Sequence, residues 1–148
     1  MILSDYINYD RAVEGILKDQ PNKKTAETNL RMRLNELEQE MSSVSAIDTE
    51  KEPVDGGEYN DKSLNLVIEK QETIKKLNDI YRFNAAYNLA WNKLNEEEQL
   101  VLKEFYQSGY IRRQDAVDVL CETLHCEVAS VYRRKTAAVK KFKKLLIG

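Results

Sequence analysis

Glycine and proline are scarce in this chain, with five glycines and two prolines among 148 residues. A β-sandwich or barrel needs a turn about every ten residues, and glycine and proline are the residues that favour such turns. Their scarcity therefore disfavours an all-β fold. Charged residues make up 32% of the chain and hydrophobic residues 42%. This balance predicts an all-α fold in which amphipathic helices surround a modest core.

Long hydrophobic runs are absent as well. No stretch reaches the roughly 18 apolar residues that predict a membrane-spanning helix. The first ten residues, MILSDYINYD, lack the basic and apolar segments of a secretory signal peptide. The sequence thus predicts a protein without a membrane partner and with a cytoplasmic location.

Side chains that hold metals or perform catalysis are few. Cys121, Cys126 and His125 are the only cysteines and histidine of the chain, whereas a structural zinc site uses about four such ligands. We therefore expect reduced, buried thiols and neither a metal nor another cofactor. There is no glycine-rich phosphate loop and no plausible triad around His125. No catalytic residue is assigned, and an enzyme is not expected.

The two ends of the chain differ in charge, although the net charge is only −2. Residues 1–109 contain 14 basic and 21 acidic residues, and residues 110–148 contain nine basic and four acidic ones. From Val128 to Gly148 there are seven basic residues and no acidic one. Positive charge concentrated at one end is typical of a protein that binds a polyanion. A solvated helix face would produce the same composition.

The first 41 residues are predicted to form an N-terminal helical hairpin. Apolar residues recur at helical spacing from about residue 4 to 19, and Gln20-Pro21-Asn22 should end this first helix. The second helix, over about 25–41, carries a short heptad seam from Leu30 to Val44. This seam should pair with another helix, either in this chain or in a partner chain.

A loop and a long helix are expected next. Residues 42–61 include Gly56-Gly57 and are predicted to be a loop or linker. Residues 62–93 contain no glycine or proline and predict one long helix, with Leu64 and Ile68 in its apolar stripe. A helix of this length is normally braced by another helix or by a dimer partner. We therefore expect a homodimer held by this helix and the heptad seam.

A separate helical domain is predicted over residues 94–148. Asn95 is a suitable N-cap, and Glu98 lies three residues later, as a capping box requires. The acidic residues of this first turn also suit the positive end of a helix. Ser108-Gly109 should end the helix, with the glycine in a left-handed conformation.

Two further helices, over about 113–124 and 127–146, are separated only by a short turn at His125-Cys126. A helix-turn-helix needs a small residue where its helices cross, apolar residues beside its turn and a branched apolar anchor in the second helix. With Val131 as the anchor, the inward positions fall to Leu120, Cys121, Leu124 and Cys126. His125 replaces the common glycine and must accept a less favourable backbone conformation.

The last helix is expected to be amphipathic. At about 100° per residue its apolar side chains gather on one side, and the outward side is basic, with small residues near its N-terminal end. Such a helix can approach base edges in the major groove and contact phosphates. The predicted DNA-binding residues are Glu127, Val128, Ala129, Ser130, Tyr132, Arg133, Arg134, Thr136, Lys140 and Lys141. The alternative is an ordinary amphipathic helix with a lysine-rich solvated face.

Two segments resemble region four of bacterial sigma factors. Residues 94–102, LNEEEQLVL, are similar to the opening helix of that region. Residues 130–145, SVYRRKTAAVKKFKKL, are similar to its recognition helix and the tail that follows. No segment resembles sigma region two, so a complete sigma factor is not expected. The resemblance implies a sigma-region-four-like helix-turn-helix domain at the C-terminal end of this sequence.

The whole arrangement resembles phage regulators of the ArpU/RinA type, in which such a domain follows a helical N-terminal part. This implies transcriptional regulation, typically activation of late phage genes. On the sigma pattern the base-reading positions correspond to Val128, Ala129, Tyr132 and Arg133. Most of these differ from the sigma residues, which implies an operator other than an ordinary −35 element.

Three functions therefore remain open from the sequence. The first is a sequence-specific regulator that binds double-stranded DNA as a homodimer. The second is a small-terminase-like subunit that recognises DNA for packaging, although such proteins usually carry their DNA-binding part at the N-terminus. The third is an adaptor that binds RNA polymerase or a sigma-related partner and has no operator of its own.

Overall fold

The computed structural model describes the backbone of residues 8–50 and 57–148 and the side chains of residues 8–44 and 61–148. The described residues form five α-helices and no strand, so the predicted all-α class is confirmed for this part of the chain. None of the described helices combines the length and hydropathy needed to cross a membrane. The helices are α1 (Tyr9–Glu50), α2 (Gly57–Asn92), α3 (Glu96–Tyr106), α4 (Arg113–Leu124) and α5 (Val128–Ile147).

The chain divides into two compact units. Unit 1 comprises the chain up to Asn22 together with Asn84–Gly148. It therefore holds the first part of α1, the last part of α2 and all of α3, α4 and α5. Unit 2 is Lys23–Phe83 and holds the remaining parts of α1 and α2.

The predicted helix end at Gln20-Pro21-Asn22 is wrong, because α1 continues through Pro21. A proline inside a helix has no N–H to donate to the carbonyl four residues earlier, which here is the carbonyl of Leu17. The side chain of Gln107 donates a hydrogen bond to that carbonyl, with 3.1 Å between Gln107 Nε2 and Leu17 O. A residue 90 positions later thus supplies the donor that the backbone normally provides. Residues 9–41 form one continuous helix and not the expected hairpin, and residues 1–7 lie outside the described residues.

Most of the loop predicted over residues 42–61 is helical. Helix α1 extends to Glu50 and α2 begins at Gly57, while residues 51–56 lie outside the described residues. The segment 42–50 contains neither glycine nor proline, so nothing in its composition interrupts the helix. The long helix predicted over 62–93 is confirmed as α2, with an earlier start.

Unit 2 contains a narrow apolar contact between its two helices. Leu37 and Val44 of α1 form a cluster with Leu66 of α2, and Met41 packs against it. The heptad seam thus pairs within the chain. Arg33 adds an ion pair to Glu69 at 2.7 Å, so polar contacts border this contact between the helices.

The buried face of α2 in unit 2 differs from the predicted stripe. Leu66, Thr73 and Leu77 are buried, whereas Leu64 and Ile68 are 56% and 44% exposed. The buried residues are spaced by seven and four positions, so they form one helical face, and Leu64 and Ile68 lie on another. Because α2 carries apolar residues on both faces in unit 2, the sequence pattern alone does not show which face is buried.

Unit 1 is built around aromatic side chains. The ring of Phe142 on α5 lies 5.3 Å from the ring of Tyr87 and 6.2 Å from that of Trp91, both on α2. Val13 and Leu17 of α1 belong to the same buried cluster. The first part of α1 therefore contributes to the core that supports α5.

Candidate nucleic-acid interface

The start of α3 has the predicted capping box. The backbone N–H of Glu98 donates to Asn95 Oδ1 at 2.8 Å, and the backbone N–H of Asn95 donates to Glu98 Oε1 at 2.9 Å. Helix α3 ends at Tyr106, earlier than expected, and Gly109 takes the positive φ of 71° that its position predicted. The local sequence thus determines the start of α3 and the left-handed conformation of Gly109, but not the residue at which α3 ends.

The turn between α4 and α5 also agrees with the sequence analysis. His125 ends α4 in the left-handed conformation, with φ 52° and ψ 48°. Such a conformation costs a residue with a Cβ atom about 1–2 kcal/mol. The backbone N–H of Cys126 donates to the carbonyl of Cys121 at 3.2 Å, which closes the turn and fixes the direction in which α5 leaves it.

The five residues assigned to inward positions pack together. Leu120 and Val131 are buried in one cluster, and Cys121, Leu124 and Cys126 pack against it. Burial and the neighbouring Cys126 and Asp118 raise the pKa of the Cys121 thiol. Within the described residues, no three His, Cys, Asp or Glu side chains gather closely enough to hold a metal ion.

Helix α5 turns its apolar residues inward, where Val131, Ala138, Val139 and Phe142 are buried. Its opposite face is exposed and consists of small and basic residues. Because their spacing keeps them within about a third of the helix circumference, they form one continuous surface, which we call the outer face. Its members are Ala129, Arg133, Thr136, Ala137, Lys140 and Lys144.

The cations of the outer face have no partner in the described structure. The side chains of Arg133, Lys140 and Lys144 make no ion pair or hydrogen bond with any described residue. They lie seven and four residues apart and extend over roughly 17 Å of helix. Lys144 lies on this face although it is not one of the predicted site residues.

Two predicted site residues, Arg134 and Lys141, form ion pairs with α3 and are not free for a ligand in the way that the outer-face cations are. Arg134 forms an ion pair with Glu97, and its Nε also donates to Ser130 Oγ at 3.3 Å. Lys141 donates to Glu98 Oε1 at 2.7 Å. These contacts attach the flank of α5 to the first turn of α3, so both cations are partly neutralised within the fold.

The pKa of Glu98 reflects its two bonds. Partial burial would raise this pKa, but the hydrogen bond from Lys141, the backbone N–H of Asn95 and the charge of Lys141 outweigh it. The pKa of Glu98 therefore lies below its ordinary value. The carboxylate is charged at neutral pH, when it can pair with Lys141.

Two further cations of α5 are engaged inside unit 1. Lys135 Nζ lies 5.2 Å from the centre of the Phe105 ring and 5.8 Å from that of Tyr106, and burial lowers its pKa. Lys143 donates to Asp10 Oδ1 at 2.9 Å. Together with Arg134 and Lys141, four of the seven basic residues of α5 are engaged by the fold, and three remain on the outer face.

Lys140 borders a surface groove that also contains Asp10 and Glu14. These carboxylates already have partners, since Asp10 accepts from Lys143 and Glu14 accepts from the Tyr106 hydroxyl at 2.9 Å. Lys140 itself makes no ion pair or hydrogen bond with either carboxylate or with any other described residue.

The remaining predicted site residues lie near the start of α5. Glu127 is its N-cap, and Val128 is 46% exposed. Tyr132 is half-buried, with its ring 6.0 Å from that of Phe105, so part of its surface supports the core. The structure thus places Ala129 and Arg133 at one end of the outer face, the two lysines at the other, and Thr136 and Ala137 between them.

Comparisons of the chain with protein-family models, with curated proteins and with solved structures find no match.

Proposed function

We propose that unit 1 carries a helix-turn-helix DNA-binding domain and that the chain is a sequence-specific transcriptional regulator. The resemblance stated above adds the expectation that its targets are phage or mobile-element genes. One observation carries the proposal: the three cations of α5 without a partner in the described structure share one exposed helix face. The other four are engaged by α1 or α3, or by residues of α5 itself.

The outer face has the chemistry that a duplex requires. Ala129 is small enough to let the start of α5 approach the floor of the major groove, and Arg133 follows one turn later, within reach of base edges. Lys140 and Lys144 lie further along and suit phosphate oxygens, because an ammonium group contacts phosphates without reading sequence. Base contact and phosphate contact are thus separated along one helix.

The firm attachment of α5 supports the same function. Base discrimination requires that a helix keep its orientation in the groove, and α5 is fixed by buried Val131 and Phe142 and by its ion pairs to Glu97 and Glu98. A homodimer would place two such helices on half-sites separated by one helical turn of DNA or a multiple of it. Catalysis has no part in this proposal.

Selection of genomic DNA fragments by the purified protein at physiological salt tests the function. We expect one enriched motif upstream of a phage or mobile-element operon. Enrichment at a packaging start site would replace the regulator with the terminase-like alternative. Absence of any DNA affinity at low salt would overturn DNA binding and favour the adaptor.

Lys140 and Lys141 form a matched pair for testing the face. Both are exposed lysines of α5, but only Lys141 has a carboxylate partner in the described structure. Lys140→Ala should weaken binding to all DNA and reduce the salt dependence by about one released counter-ion. Lys141→Ala should have a smaller effect, and the opposite order would contradict the assignment of the outer face.

Arg133→Ala tests base recognition separately. If Arg133 makes a bidentate base contact, this variant should lose about 1–3 kcal/mol of specific binding and little binding to random DNA. Competition between the selected motif and random DNA measures the difference. Equal losses on both would assign Arg133 to phosphate contact instead.

A further inference from the structure

The outward surface of α2 in unit 2 has a regular charge pattern that its packing does not use. Ile68, Glu72, Lys75, Asp79 and Arg82 follow one another at intervals of four, three, four and three residues. Such spacing keeps them on one helical face, and all five are exposed. The buried residues Leu66, Thr73 and Leu77 lie on the other side of the helix, where Leu66 packs against Leu37 and Val44 of α1. We call these five exposed residues the α2 stripe.

The charged side chains of the α2 stripe have no partner within the described structure. Glu72, Lys75, Asp79 and Arg82 make no ion pair or side-chain hydrogen bond with any described residue. Their spacing would also suit pairs along the helix, but the observed side chains form none. The stripe therefore offers two acidic and two basic groups to a partner.

These four charges are arranged symmetrically about the position of Leu77, and the two residues at equal distance from it carry opposite charges. Glu72 lies five residues before Leu77 and Arg82 lies five residues after it, while Lys75 and Asp79 lie two residues to either side. If a second α2 lies antiparallel across this point, each acidic residue meets a basic one. In a parallel, in-register pair each residue would meet its own copy, which places like charges together.

We propose that a second copy of this chain binds antiparallel along the α2 stripe, so that Glu72 pairs with the partner's Arg82 and Lys75 pairs with the partner's Asp79. The two-fold symmetry repeats both contacts and gives four ion pairs. This deepens the homodimer of the proposed function by identifying its surface and its orientation.

Apolar burial adds to the ion pairs, which are weak when they remain exposed. Ile68 is 44% exposed and lies one turn before Glu72. In the antiparallel register it lies one turn beyond the partner's Arg82, where the methylene groups of that arginine can cover it. The ion pairs thus determine the orientation of the second copy, and the burial of Ile68 adds to the stability of the dimer.

Charge reversal with rescue tests the arrangement. The mass of the full chain is measured by sedimentation equilibrium without DNA, and we expect twice the 17.2 kDa of one chain. Arg82→Glu and Glu72→Arg, each made alone, should weaken the dimer by on the order of tenfold or more, because each places like charges together at two symmetric positions. The double variant should restore it.

The rescue identifies a contact between chains, because residues 72 and 82 are separated by roughly 15 Å along one helix and cannot pair within it. Lys24→Glu is the control, since it makes a similar charge change on an exposed position of α1 in unit 2. It should leave the dimer intact. Circular dichroism checks that every variant remains helical, and about 1 M salt should weaken the wild-type dimer by screening.

Each other result overturns the arrangement. A wild-type monomer shows that the stripe binds no second copy, and dimerisation that survives both single reversals places the interface elsewhere. Folded single variants that dissociate without rescue in the double variant contradict the stated pairs, and a ring of many subunits contradicts the two-fold axis. A monomer that selects an operator would refute this inference alone, whereas a dimer without DNA affinity would refute the proposed function alone.

Discussion

The two units of this protein are held together in different ways. Unit 1 contains a buried group of aromatic rings from α2 and α5, and segments distant in sequence meet there. In unit 2 two parts of long helices contact each other through a narrow row of apolar residues with ion pairs beside it. Unit 1 therefore has an enclosed core that holds α5 in place. Most of the described side chains of unit 2 are exposed.

The largest expected difference between the units comes from truncating a fully buried side chain in each. Phe142→Ala in unit 1 should cost about 3–5 kcal/mol of the free energy of unfolding, because the aromatic rings around it cannot close the cavity. Leu37→Ala in unit 2 should cost about 2–3 kcal/mol, since two helices can move together more easily. Chemical denaturation followed by far-UV circular dichroism measures the loss in both variants, and fluorescence of Trp91, the only tryptophan, reports separately on unit 1. Equal losses for both variants would remove the distinction between the two units.

The next largest effect is a loss of stability at high pH that originates in unit 1. Burial raises the pKa of Tyr87 to about 12 from an ordinary value of 10.0, against the opposing hydrogen bond from Gln107. Burial, followed by the bond to Glu14, also raises the pKa of Tyr106. Below the ordinary value both states keep the proton. As the pH rises from about 10 towards 12 the unfolded state releases it first, so stability falls.

Tyr87 should contribute about 2–3 kcal/mol to this alkaline loss. Tyr87→Phe has no proton to release, so the fall in its free energy of unfolding over the same pH range should be smaller. Denaturation series at neutral and alkaline pH measure this. An identical pH dependence in both proteins would show that Tyr87 titrates alike in the folded and unfolded states.

A smaller effect should reveal how unit 1 accommodates Pro21. Gln107 Nε2 donates to Leu17 O at 3.1 Å and to the Tyr87 hydroxyl at 2.7 Å. Gln107→Met keeps the length of the side chain and removes the donor, which should cost about 1–2 kcal/mol. Pro21→Ala supplies a backbone N–H for Leu17 O, so the cost of Gln107→Met should decrease in that background. A double-mutant cycle with independent, additive effects would show that the two residues are not coupled.

The smallest expected effect lies in the ion pairs of unit 2. Arg33→Met removes the bond to Glu69 but keeps a linear side chain over the contact between the helices. We expect a change in stability below that of Gln107→Met, and one that disappears in high salt. Melting curves at low and high salt decide this, and a large loss independent of salt would show that Arg33 acts through packing.

The sequence predicted the features that depend on neighbouring residues. Asn95 and Glu98 form their capping box because both partners lie within four residues. His125 could be placed in a turn because the helical spacing of apolar residues in α4 does not continue in register into α5. The outer face of α5 followed from helical spacing alone, and four of its six residues were among the predicted site residues: Ala129, Arg133, Thr136 and Lys140.

Other features could not be predicted because their causes lie far away in sequence. Pro21 is a reliable helix breaker unless another donor reaches the carbonyl of Leu17, and that donor is Gln107. Arg134 and Arg133 are adjacent and chemically identical, yet Glu97 of α3 engages only Arg134. The buried face of α2 in unit 2 was also uncertain, since apolar residues occur on both faces and only contact with α1 selects one.

The sequence by itself therefore determined the helical class, the N-terminal cap of α3, the turn before α5 and the face on which the small and basic residues of α5 lie. These properties arise from interactions over one or two helical turns, which the order of residues fixes directly. The tertiary structure decided that α1 passes through Pro21, and it decided which cations of α5 remain without a partner among the described residues. Those outcomes depend on hydrogen bonds and ion pairs between distant segments, such as the contact of Lys143 with Asp10, which lie 133 residues apart. Such groups come within bonding distance only when the chain folds.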